Sequence, residues 1–71
     1  MKNLLERLKP EVLLEINKDL EKHPFLVKSI YTNLERNRMY NDLTILEGHQ
    51  LCLCAGVEFG ILQIDSLFEK E

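Results

Sequence analysis

Apolar residues fall along this chain in short runs that return every three or four positions, and polar or turn-forming residues separate the runs. That period belongs to amphipathic helices packed on one side. Leu4, Leu5 and Leu8 share a helical face and predict a first short helix near 2–8. Pro10 ends that helix or begins the next, because it has no N–H and its ring clashes with a preceding turn. Proline is tolerated at the first helical position, and Glu11 stands where the helix dipole favours negative charge. Val12, Leu13, Ile16 and Leu20 then line one side of a second helix near 11–22, opposite Glu11, Glu15, Lys18, Asp19 and Lys22. Glu15–Lys18 and Asp19–Lys22 are favourable pairs three residues apart, whereas Glu11–Glu15 repel at four.

His23-Pro24 forms the next break, since a residue before proline resists the helical region. Leu26, Val27, Ile30, Tyr31 and Leu34 predict a third helix over 25–37, followed by a polar stretch to Asp42. Thr44-Ile45-Leu46-Glu47 matches the capping box, in which a threonine oxygen and a glutamate three residues on satisfy free N–H groups at a helix start. The fourth helix runs from Ile45 to about Ala55, where Gly56 is a natural stop. Leu46, Leu51, Cys52, Leu53, Cys54 and Ala55 occupy most of its circumference, which predicts a central helix buried on several sides. The last segment holds two patterns. Val57, Ile61, Ile64 and Phe68 recur at helical spacing, while Val57, Phe59 and Ile61 alternate as in a strand. The helix is the preferred reading, although Gly60 weakens it by roughly 1 kcal/mol relative to alanine.

Fourteen leucines against three valines and one alanine also favour helix. The expected fold is all-α, a compact bundle of four or five short helices in one domain spanning 1–71. At 71 residues the hydrophobic gain and the ordering entropy nearly cancel, at roughly 1.5 kcal/mol per ordered residue. Natural domains of this size draw on a disulfide framework, a metal or a partner chain. The region from Ile45 to Phe68 carries more apolar surface than so small a bundle can cover. Packing into a homo-oligomer, most simply a dimer, is therefore expected to complete it, with Leu51, Leu53, Val57, Phe59, Ile61, Ile64 and Phe68 as contact residues.

Nine Lys and Arg against twelve Asp and Glu give a formal net charge of −3, which disfavours a general nucleic-acid binder. The longest stretch free of Asp, Glu, Lys and Arg is Gly48–Val57, too short to cross a bilayer. The first residues mix charge with leucine and do not read as a signal peptide. A cytoplasmic protein is expected.

Cys52 and Cys54 are separated by one residue, so a bridge between them would close a small strained ring. With His49 they form His-x-x-Cys-x-Cys, in which only His49 and Cys52 share a helical face. Zinc takes four ligands, or three and a water, and the remainder would have to come from His23, Glu47 or another subunit. Small buried core residues are the simpler reading, with no metal and no cofactor. A thiol nucleophile needs a base and a lowered pKa, and these thiols sit in the most apolar part of the chain. With no catalytic grouping and no phosphate loop, an enzyme is not expected. Gly56 and Gly60 have small-xxx-small spacing, which a helix cap and a turn explain as well. His23 has no visible partner for pH sensing.

Arg36 and Arg38 stand close to Tyr31 and Tyr40, with Lys28 upstream on the third helix. Guanidinium forks hold phosphates, and tyrosine rings stack on bases. Lys28, Tyr31, Arg36, Arg38 and Tyr40 are thus candidate ligands for a small anion such as a nucleotide. Three functions follow. The first is a self-associating, non-enzymatic interaction or regulatory module that occupies a surface of another protein. The second is a small-ligand binding protein using the Arg36, Arg38 and Tyr40 neighbourhood. The third is a helical DNA-binding regulator reading with Lys28, Asn33, Arg36 and Arg38.

Overall fold

In a computed structural model, residues 2–70 are described. Five α-helices follow in order: α1 Leu4–Arg7, α2 Pro10–Leu20, α3 Pro24–Arg36, α4 Ile45–Ala55 and α5 Ile61–Ser66, with a 3-10 turn at Tyr40–Asp42. Among the described residues there is no strand, only an isolated antiparallel bridge between Leu8 and Phe68. The all-α bundle expected from the leucine spacing is the fold. Its radius of gyration, 10.8 Å, is close to the roughly 11 Å expected for a compact chain of this length.

Local chemistry sets the boundaries. Asn3 caps α1 by accepting from the Glu6 N–H at 3.1 Å. Pro10 and Pro24 are the first residues of α2 and α3, where a missing N–H leaves no intrahelical bond unmade. Thr44 caps α4, its hydroxyl oxygen accepting from Glu47 N–H at 3.1 Å; such a cap contributes about 1 kcal/mol. At the other end of α4, Gly56 adopts φ +76°, the left-handed region that favours glycine. Its N–H donates to the Leu53 carbonyl and the Val57 N–H donates to that of Cys52, the paired bonds of a Schellman ending.

The last helix is shorter than its hydrophobic spacing predicts. Residues 57–60 form neither helix nor strand, and α5 begins only at Ile61. The Gly56 stop and the extended backbone of Gly60, φ 179°, explain the delay. Ion pairing also differs in part. Glu15 and Lys18 bond at 3.0 Å, whereas the Asp19 carboxylate stands near the Cys54 thiol and raises its pKa.

The core draws on every helix: Leu4, Leu8, Val12, Ile16, Val27, Ile30, Leu34, Leu51, Cys52, Cys54, Ile64, Leu67 and Phe68. Two close approaches give it shape. At Gly48 an added Cβ would lie 2.9 Å from Ile64 Cδ1 and 3.0 Å from Phe59 Cε2. The missing side chain therefore lets α5 and the loop before it settle on α4. The two ends of the described chain are also tied together. Lys9 N–H donates to the Leu67 carbonyl at 3.0 Å and Glu69 N–H to that of Arg7 at 2.8 Å. Leu4 N–H donates to the Asn37 carbonyl at 2.8 Å, fixing α1 to the end of α3.

Candidate interaction surface

The fourth helix is not enclosed as its apolar circumference predicts. It packs against α2, α3 and α5 and buries Gly48, Leu51, Cys52 and Cys54. Its remaining side carries exposed apolar side chains. Ile45, Leu46 and Leu53 are between 67% and 78% exposed. Ile45, His49 and Leu53 follow at four-residue spacing and so form one row. The Phe59 ring stacks on the His49 ring at 5.4 Å between centroids, so the loop before α5 extends that row sideways. Ile61 and Leu62, in the first turn of α5, are 77% and 79% exposed, and Val57 and Phe59 about half as much.

These seven aliphatic and aromatic residues are the exposed apolar side chains of α4, the 57–60 loop and the first turn of α5. The whole chain shows 5094 Å², against about 4,600 Å² expected of a compact monomer of its mass.

The contact residues named from sequence divide cleanly. Leu53, Val57, Phe59 and Ile61 are on the open surface. Leu51, Ile64 and Phe68 are instead buried within the single chain, at 1%, 7% and 5% exposure, and are not available to a partner. Ile45, Leu46 and Leu62 are exposed as well, and spacing does not single them out. The capping box was the available signal for the first two, because it places both in a helix's opening turn ahead of the buried residues.

The basic and aromatic group around α3 does not converge on one point. The Tyr31 ring packs on the core and its hydroxyl donates to Asn17 Oδ1 on α2. Burial pushes its pKa up, partly offset by that bond. Arg36 is engaged with Asn33 Oδ1 at 3.0 Å, one turn back. Lys28 is exposed on the same helix. Arg38 lies beyond the helix, where its carbonyl accepts from Arg7 Nη1 at 3.3 Å. Tyr40 packs against the core. A cleft of about 310 Å³ does exist, but between the chain ends, lined by Arg7, Lys9, Asp65, Ser66, Phe68, Glu69 and Lys70. No spacing along the sequence announces it, since pairing of distant segments creates it.

The cysteines are free and buried. Burial raises the pKa of both thiols; at Cys52 a backbone hydrogen bond from Gly60 acts the other way. At Cys54 the Asp19 carboxylate adds to the rise, through its charge and by accepting the thiol's hydrogen bond. Both environments disfavour a thiolate nucleophile. His49 is turned to Phe59, and among the described residues no group of three or more His, Cys, Asp or Glu could hold a metal ion.

These shifts carry a pH dependence. A thiol whose folded pKa exceeds its unfolded value contributes fully below the unfolded pKa, near 8.5. That contribution is lost as pH rises through the folded value. Thiolate absorbance is expected to appear at higher pH in the folded chain than in the urea-unfolded chain, with the urea midpoint falling above about pH 8.5. A folded titration at or below the unfolded one would refute the burial argument.

Among the described residues no helix is long and apolar enough to cross a membrane. A scan against known protein families finds none that matches, and no curated protein and no solved structure matches the chain.

Proposed function

We propose that this chain is a non-enzymatic interaction module that pairs with a second copy of itself through the α4–α5 face and acts on other proteins by that surface. The observation that carries the reading is the open apolar area on α4, the 57–60 loop and the first turn of α5. Monomers rarely leave more than a few hundred Å² of contiguous apolar surface in water. Buried free thiols suit a reducing compartment such as the cytosol.

Sedimentation velocity across the micromolar range tests the pairing. A dimer is expected, and Leu53→Ser with Ile61→Ser is expected to weaken it at least tenfold, since each buried aliphatic side chain contributes about 1.5–3 kcal/mol. Phe25→Ser, at an exposed aromatic on the first turn of α3, is expected to leave it unchanged. A monomer throughout, or a dimer indifferent to Leu53 and Ile61, would overturn the proposal.

A further inference from the structure

From Met39 to Glu69 the chain contains no lysine or arginine and five acids, Asp42, Glu47, Glu58, Asp65 and Glu69. Eight of the nine cations precede this stretch. Asp65 and Glu69 line the cleft shared with Arg7, Lys9 and Lys70, so cations stand beside them. Asp42 and Glu58 are exposed with no such company in their own segments, while Glu47 keeps one carboxylate oxygen buried. Asp42 lies in the 3-10 turn leading into α4, Glu47 in the first turn of α4, and Glu58 between Val57 and Phe59. The open apolar face is therefore built from a purely acidic part of the sequence.

We infer that the heterologous partner of this face is a cationic amphipathic helix, a segment with an apolar stripe flanked by lysine and arginine. This rests on the reading of α4–α5 as a contact surface and names what best fits it. Leucine-sized side chains at helical spacing suit a surface made of two helices and the loop between them. Long basic side chains lay their stems on apolar surface and carry the charge outward to an acidic edge. A second copy of this chain presents the same acidic segment, with the exposed carboxylates of Asp42 and Glu58, and like charge opposes association. A cationic helix meets the same carboxylates with opposite charge. The two occupants thus respond oppositely to salt. Screening strengthens the pairing of like copies and weakens the mixed complex. The homodimer is then the resting form, and the cationic helix displaces one copy from the other.

The test uses the full chain and two labelled synthetic helices, one of leucine and lysine, its twin of leucine and glutamate. Fluorescence anisotropy is expected to give at least tenfold tighter binding of the lysine helix at low salt, with the difference shrinking as salt rises. Leu53→Ser with Leu62→Ser is expected to weaken it tenfold or more, Phe25→Ser to leave it unchanged, and Asp42→Asn with Glu58→Gln to narrow the lysine preference several-fold. Circular dichroism verifies that each variant is folded. Sedimentation with excess lysine helix is expected to convert the dimer to a one-to-one complex. Equal affinity for the two helices overturns the inference, as does lysine-helix binding indifferent to Leu53 and Leu62. If the protein alone dimerises but neither helix displaces its partner, the inference falls and the self-pairing stands. If the lysine helix binds at Leu53 and Leu62 to a protein that is otherwise a monomer, the self-pairing falls and the choice of partner stands.

Discussion

Replacing Phe68 by alanine is expected to cost about 3–5 kcal/mol of folding stability, the range for emptying a buried aromatic site. A chain this size is held by roughly 4–10 kcal/mol, so much of the population should unfold at moderate temperature. The ring is 5% exposed and sits in the bridge where residue 68 meets Leu8. Truncation leaves the backbone bonds from Lys9 to Leu67 and from Glu69 to Arg7 in place, so the loss isolates the ring's packing. Urea unfolding at low protein concentration, where no dimer contributes, is the measurement. A midpoint unchanged at low concentration, with loss appearing only as dissociation at high concentration, would place Phe68 in an interface after all and contradict its burial.

Ile16→Ala is expected to have the second largest effect, about 2–5 kcal/mol. Ile16 is fully buried in the middle of α2, the helix that packs against both α3 and α4. A cavity there lies among several elements, and none can close it without moving the others. Leu14, two residues earlier on the same helix, is 58% exposed. Leu14→Ala is expected to change stability by less than about 0.5 kcal/mol. The pair of urea midpoints should therefore differ by about 1.5 M or more, at a slope near 1 kcal/mol per molar urea for a small domain. Equal shifts for the two variants would mean that α2 does not present the face described.

The contrast between Ile16 and Leu14 shows what the hydrophobic pattern could reveal. Val12 and Ile16 are four apart, and Val27, Ile30 and Leu34 repeat at three and four, so the inward sides of α2 and α3 were legible from spacing. The helix starts at Pro10, Pro24 and Thr44 and the stop at Gly56 were legible too, because each depends on the chemistry of one or two residues. The final segment was harder. Phe68 fits the helical spacing of Val57, Ile61 and Ile64, yet it lies past the end of α5 in an extended contact with Leu8. That pairing joins residues far apart in sequence, and no local propensity encodes it.

The candidate surface was legible in outline only. The apolar surplus after Ile45 predicted a face that one chain leaves uncovered, but not which residues would form it. Burial of Ile64 depends on Gly48, whose missing side chain brings Ile64 and Phe59 within reach of α4, and that of Phe68 on its pairing with Leu8. A glycine inside a helix reads locally as a weak spot, and only the packed structure reveals it as room for a neighbour. The basic and aromatic residues near Arg36 illustrate the converse. Proximity in sequence placed them together, and rotation around α3 and the turn after it sent Tyr31 to Asn17, Arg36 to Asn33 and Tyr40 to the core.

Joining residues 7–9 to residues 67–69 orders events during synthesis. As the chain leaves the ribosome, α2 and α3 can form and meet while later segments are still being made. Leu8 has no permanent neighbour at position 68 until that residue emerges, so the growing chain keeps part of its core wet. Closing so long a loop costs entropy before any contact repays it. Docking of residues 67–69 is therefore the step that completes the core around Leu8.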